Sequence, residues 1–131
     1  MNDEESRRAF LERRLQAFHH RDHVRLAWTY LREDSSLRGL DRFVHELRRF
    51  ALDAGKPELY HETLTWGFLL LVRERMALGP EADFESFAGA NADLMSWKPS
   101  VLERYYRPET LASPRARQTF VMPDRGLPIQ C

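Results

Sequence analysis

The sequence predicts an all-α fold: a single compact helical domain over residues 1–131, with four longer helices followed by several short C-terminal ones. Three observations predict it. Apolar residues recur at the 3, 4, 7 spacing of one helix face through most of the first 80 residues. Capping residues, glycines and prolines fall where those periodic segments begin and stop. No stretch of useful length alternates apolar and polar side chains as a strand would.

The first helix is predicted over residues 4–17, with Phe10, Leu11, Leu15 and Phe18 as its apolar side. The second, His20 to Arg32, sets Val24, Ala27, Trp28 and Leu31 on one stripe and Arg21, Asp22, Arg25 and Arg32 opposite. Glu33-Asp34-Ser35-Ser36 then supplies a turn and an N-cap. A third helix from Leu37 to about Asp53 is predicted, in which Leu37, Leu40, Phe43, Val44, Leu47, Phe50 and Ala51 follow the 3, 4, 7 spacing closely. Gly55 and Pro57 end it and start the next.

The fourth helix, Leu59 to Leu78, is apolar on nearly every side, with only a narrow polar strip at Thr63, Gly67 and Glu74. A helix of that kind is expected at the centre of its domain. It stops at Gly79-Pro80. Beyond residue 80 the elements shorten. Asp83 and Asn91 can cap two brief helices, Pro99 can open a turn or two, and Ser113-Pro114 suits the N-cap and first position of a last helix to about Phe120. Pro123 and Pro128 leave the tail extended.

A chain of 131 residues is long enough for one sizeable core. Twenty basic and twenty acidic residues cancel, so no large field favours nucleic acid or an anionic membrane, and neither is expected as a partner. All the basic residues but Lys56 and Lys98 are arginine, a bias that reads as base composition in a GC-rich genome. The lone cysteine, Cys131, excludes an intramolecular disulfide and a cysteine-based zinc cluster. The opening MNDEESRR has no apolar run behind it, and Trp66 to Val72 is far short of the roughly 20 residues a membrane span needs. A cytoplasmic location is expected.

Five histidines, at 19, 20, 23, 45 and 61, are separated by helical phase. His45 travels with Arg38, Arg42 and Arg49 on a solvated face. His20 and His23 lie three apart on the stripe of Val24, Ala27 and Leu31. His61 lies on the broad apolar stripe of the fourth helix, in line with Thr65, Phe68 and Val72, and His19 sits at the edge of its own stripe. Three imidazoles therefore aim inward from two helices expected to pack together. Such convergence is how helical bundles hold a divalent transition metal such as Zn or Fe, with His20, His23 and His61 as ligands and Glu62 as a further ligand or base. Without a metal, His61 is the candidate general base, oriented by His20 or His23. A purely structural role stands beside both, because a buried neutral imidazole can satisfy polar groups in a core.

Neighbouring patterns add little. His61-Glu62-Thr63-Leu64-Thr65 lacks the second histidine of a zinc-protease helix. Glu58-x-x-His61 is a single copy of a unit that di-iron bundles use twice. Arg104 to Arg107 with Ser113 to Arg117 could hold an anion, but pairing with Glu103, Glu109 and Asp124 explains the same residues. Trp28, Trp66, Trp97 and the tyrosines could line a pocket or simply fill the core.

Phe18-x-His20-x-Asp22-His23-x3-Ala27-Trp28, with Tyr60-His61-Glu62-Thr63-x-Thr65, Tyr105-Tyr106 and Phe120-Val121-x-Pro123-Asp124, resembles a group of small uncharacterised bacterial all-helical proteins. The resemblance covers most of the chain and implies a stand-alone protein. It implies no mechanism. The functional expectation is a histidine-containing site that binds or acts on a small organic molecule. Its rival is a non-catalytic binding or protein-interaction module, in the form of a homodimer, whose histidines are structural.

Overall fold

A computed structural model describes residues 20–97 and 99–125. The expected helix over 4–17, with His19, and the tail containing Pro128 and Cys131 lie outside the described residues. Within them the chain is all-helical: α1 His20–Glu33, α2 Leu37–Asp53, α3 Glu62–Leu78, α4 Phe84–Ala90, α5 Ala92–Met95, α6 Pro108–Leu111 and α7 Pro114–Gln118. Short 3₁₀ turns occupy Pro57–Leu59 and Val101–Arg104. None of the described helices is long and apolar enough to cross a membrane.

Local chemistry sets most boundaries. The Ser36 hydroxyl accepts from the Arg38 N–H to open α2, and Asp83 accepts from the Ser86 N–H to open α4. Ser113 accepts from the Ala116 N–H, with Pro114 at the first position of α7. Past the end of α2, Gly55 takes φ of 72°, a left-handed turn that glycine enters at no steric cost. Asn91 departs from expectation. Its side chain donates to the Phe87 carbonyl and accepts from Arg75 instead of capping α5.

The core joins α1 and α2 to the C-terminal half through Trp28, Leu40, Phe43, Leu69, Val72, Phe87, Leu94, Leu102 and Tyr106. The most enclosed helix is α1, which buries Val24, Leu26, Ala27, Trp28, Tyr30 and Leu31. By contrast α3, the expected centre, buries only Thr63, Leu69 and Val72. Two physical reasons account for the difference. Part of the broad stripe of α3 faces a cavity, so Leu64 and Phe68 stay half-buried. Its supposed polar strip is also covered: Thr63 is fully buried, its hydroxyl donating to the Thr119 carbonyl (2.8 Å) and accepting from the Val121 N–H (3.1 Å). At Gly67 an added Cβ would stand 3.1 Å from both Leu102 methyls, so the missing side chain admits the Val101–Arg104 turn.

The C-terminal segment is laced down by further polar contacts. The Tyr106 hydroxyl donates to the Val121 carbonyl (2.5 Å), and the Tyr105 carbonyl accepts from the Asp124 and Arg125 N–H groups. The Asp124 carboxylate accepts from the Arg107 N–H and the Thr110 hydroxyl. Asp93 bridges Arg75 and Arg104 at 2.9 Å each, and the Arg75 hydrogen bonds lead in holding its carboxyl down to about 2.

Candidate functional site

α1 packs along both α2 and α3, whereas α2 and α3 touch each other sparingly. The gap between them is a cavity of about 570 Å³. His20, His23, Val24 and Ala27 line it from α1, and Phe43, Leu47, Phe50 and Ala51 from α2, with Ala54 just beyond. Leu59, Tyr60 and His61 contribute from the connection, and Leu64, Thr65, Phe68, Leu69 and Val72 from α3; Trp97 completes the lining. No Asp, Glu, Lys or Arg is among these lining residues.

His20, His23 and His61 thus border one space, each held differently. His20 Nε2 donates to the Leu94 carbonyl at 2.8 Å. Its ring meets Phe68 edge-on, with centroids 4.6 Å apart, and lies 5.3 Å from Trp97. Burial lowers its pKa, against the opposing pull of the Leu94 carbonyl. The imidazole of His23 is pushed down to about 3, chiefly by burial and then by the neighbouring His20.

His61 is the N-cap of α3, not a residue within its first turn. Pro57–Leu59 forms a separate 3₁₀ turn, and His61 has extended backbone at φ −132°, ψ 114°. Its Nδ1 accepts from the Leu64 N–H at 3.1 Å, and its Nε2 lies 2.7 Å from the Leu111 carbonyl. An N–H can only donate and a carbonyl only accept, so the ring carries its one proton on Nε2 and is neutral. Burial and then the Arg117 charge lower its pKa, while the Leu111 carbonyl opposes them. Both nitrogens are used, leaving no free lone pair for a proton or a metal.

Glu62, expected beside His61, faces elsewhere. Its carboxylate accepts from Arg48 (2.9 Å) and from the Tyr60 hydroxyl (2.5 Å). It borders a separate, shallow pocket with Arg48, Glu58 and Arg117. One position further into the helix turns a side chain about 100° from the cap, which takes Glu62 out of the cavity. Arg48 also lies over the Tyr60 ring, 4.9 Å from its centroid. Burial and then Glu62 push the Tyr60 hydroxyl's pKa upward, so it stays protonated and donates. Among the described residues no group of three or more His, Cys, Asp or Glu side chains is arranged to hold a metal ion.

The other candidates separate cleanly. His45 is exposed, as its phase predicts. Arg104 pairs with Asp93, and Arg117 donates to the Glu58 and Tyr60 carbonyls, so these arginines brace the chain. Trp97 and Tyr60 do line the cavity, while Trp28 packs in the core against Phe84 and Phe87. Phe68 and Thr65, marked in the sequence only as neighbours of His61 in phase, prove to be walls of the same space. No protein-family model, curated protein or solved structure matches the chain.

Proposed function

We propose that this is a small-molecule-binding protein whose cavity takes an uncharged, largely apolar ligand. The carrying observation is the space of about 570 Å³ among α1, α2 and α3, lined without a single formal charge at neutral pH. Small-molecule sites span about 300–1,000 Å³ and combine apolar walls with a few fixed polar groups. Here those groups are three neutral imidazoles, the Thr65 hydroxyl and Tyr60. A charged ligand would lose its hydration and gain no counter-charge from these walls, a cost of several kcal/mol. Binding is favoured over acid–base catalysis by the state of the imidazoles. A base works best with a pKa near the operating pH, whereas His23 is pushed down to about 3 and His61 spends both nitrogens on backbone groups. The same engagement of His61, with Glu62 turned towards Arg48, removes support for a metal centre built on these residues.

The test uses a neutral fluorophore, N-phenyl-1-naphthylamine, and its anionic counterpart, anilinonaphthalene sulfonate. The neutral probe is expected to saturate at one site per chain and to bind more tightly than the anion. Ala51→Phe, which fills the cavity from α2, should weaken the neutral probe at least tenfold while the helical signal is retained. Equal binding to the wild type and to a folded Ala51→Phe variant would refute the reading.

A further inference from the structure

The walls of the cavity are rich in rings as well as uncharged. Phe43 and Phe50 border it from α2, Phe68 from α3, and Tyr60 and Trp97 from the segments outside those helices. Phe68 and Trp97 lie nearly parallel, 29° apart with centroids separated by 6.3 Å, and the His20 ring meets both. Such rings gain more from an edge-on or offset aromatic partner than from a saturated body of the same area.

One wall also holds a hydroxyl. Thr65 lies one turn before Phe68 and Leu69 on the cavity-lining run of α3. A helical threonine can return its hydroxyl to the carbonyl four residues back, as Thr29 does to Arg25 at 2.9 Å. Thr65 does not. The His61 carbonyl accepts from the Thr65 N–H at 3.0 Å, and among the described residues the Thr65 hydroxyl has no hydrogen-bond partner. By contrast His20 gives its proton to Leu94, His61 to Leu111 and Tyr60 to Glu62.

We propose that the ligand is a flat aromatic compound carrying one neutral oxygen, a hydroxyl or a carbonyl, and that Thr65 is the residue that selects for that oxygen. The assignment rests on the cavity being a ligand site and names what that site takes. Rings on both sides of the gap between α2 and α3 favour a planar guest over a saturated one of equal size. The Thr65 hydroxyl can donate to a carbonyl or accept from a hydroxyl, so either oxygen satisfies it. An ionised oxygen would find no counter-charge in these walls.

Displacement of N-phenyl-1-naphthylamine at pH 7 compares 2-naphthol with 2-methylnaphthalene, which lacks the oxygen, and with 2-decalol, which lacks the aromatic rings. Thr65→Val and Thr65→Ala remove the side-chain hydroxyl, and Thr65→Ser keeps it. The two removals should weaken 2-naphthol about fivefold relative to 2-methylnaphthalene, with the helical signal retained, and the serine variant should bind both as wild type does. Wild type should prefer 2-naphthol to 2-decalol about fivefold. Equal effects of the removals on 2-naphthol and 2-methylnaphthalene would overturn the role of Thr65, and 2-decalol binding as tightly as 2-naphthol would overturn the aromatic class. If N-phenyl-1-naphthylamine does not bind wild type, the ligand reading itself fails and this assignment with it. If it binds and is displaced without these differences, the assignment fails alone.

Discussion

Acidification from pH 7 to pH 5 should cost this protein stability through His23, and removing that imidazole should remove the cost. In the folded chain the ring is pushed down to about 3, chiefly by burial, so it stays neutral throughout this range. In the unfolded chain it titrates near 6.5 and is almost fully protonated at pH 5. The unfolded state therefore binds more protons, and stability must fall as pH falls. Integrating the difference from pH 7 to 5 gives about 2 kcal/mol for this one residue. The figure barely depends on how low the folded value lies, because any value below about 4.5 leaves the native ring neutral at pH 5. Burial lowers His20 and His61 in the same direction, so the wild-type slope should exceed that of a single histidine. Urea unfolding at pH 7, 6 and 5 measures it, with His23→Gln as the comparison. The variant should lose about 2 kcal/mol less than wild type over this range. Parallel pH dependence in the two proteins would show that His23 is not held neutral, and the reasoning would fall.

The two bonds of His61 can be separated in the same urea assay. His61→Asn keeps an N-cap acceptor for the Leu64 N–H but cannot reach Leu111, and should cost about 1 kcal/mol; His61→Ala loses both and should cost about 2–3 kcal/mol. Thr63→Val preserves shape but strands the Thr119 carbonyl and the Val121 N–H; a loss of about 1–3 kcal/mol with faster amide exchange at Val121 is expected. Gly39→Ala sets propensity against packing. Alanine in a helix interior gains about 1 kcal/mol over glycine, yet its Cβ would stand 1.8 Å from the Asp34 carbonyl oxygen. The backbone cannot yield that far, so net destabilisation of at least about 2 kcal/mol is expected, read as a lower thermal midpoint.

The helices were legible because their signals are local. Ser36, Gly55, Asp83 and Ser113-Pro114 act within three or four residues, and the structure uses each as its chemistry predicts. Helical phase also carried His20 and His23 to the right wall and His45 to the surface. What sequence could not supply was anything decided by a distant partner. The Thr63 hydroxyl reads as a solvent-facing group until Thr119 and Val121 arrive over it from 56 and 58 residues away. His61 reads as part of an apolar stripe because an imidazole N-cap has the same neighbours in phase as a residue one turn inside. The cavity had no signature at all, since it arises from how little α2 and α3 touch, and the same apolar stripes would serve a filled core.

His20 and His61 resemble each other in a way that explains why their rings converge. Each donates to a carbonyl in the last turn of a short helix: Leu94 in α5 and Leu111 at the end of α6. Helices of four residues cannot satisfy their final carbonyls internally, and at buried ends those carbonyls need donors from elsewhere. The negative end of a helix would ordinarily favour a protonated imidazole. Here burial opposes the charge more strongly, and both rings stay neutral with a single N–H to give. An arginine or lysine in either place would bring a full charge to the edge of an apolar cavity. A neutral imidazole supplies the donor without the charge, so the residues that pin the short helices also keep the walls fit for an uncharged guest. His20 and His61 thus border one space while each reaches out to a short helix's last-turn carbonyl, and the ligand proposed above would be selected by the shape and neutrality of that space.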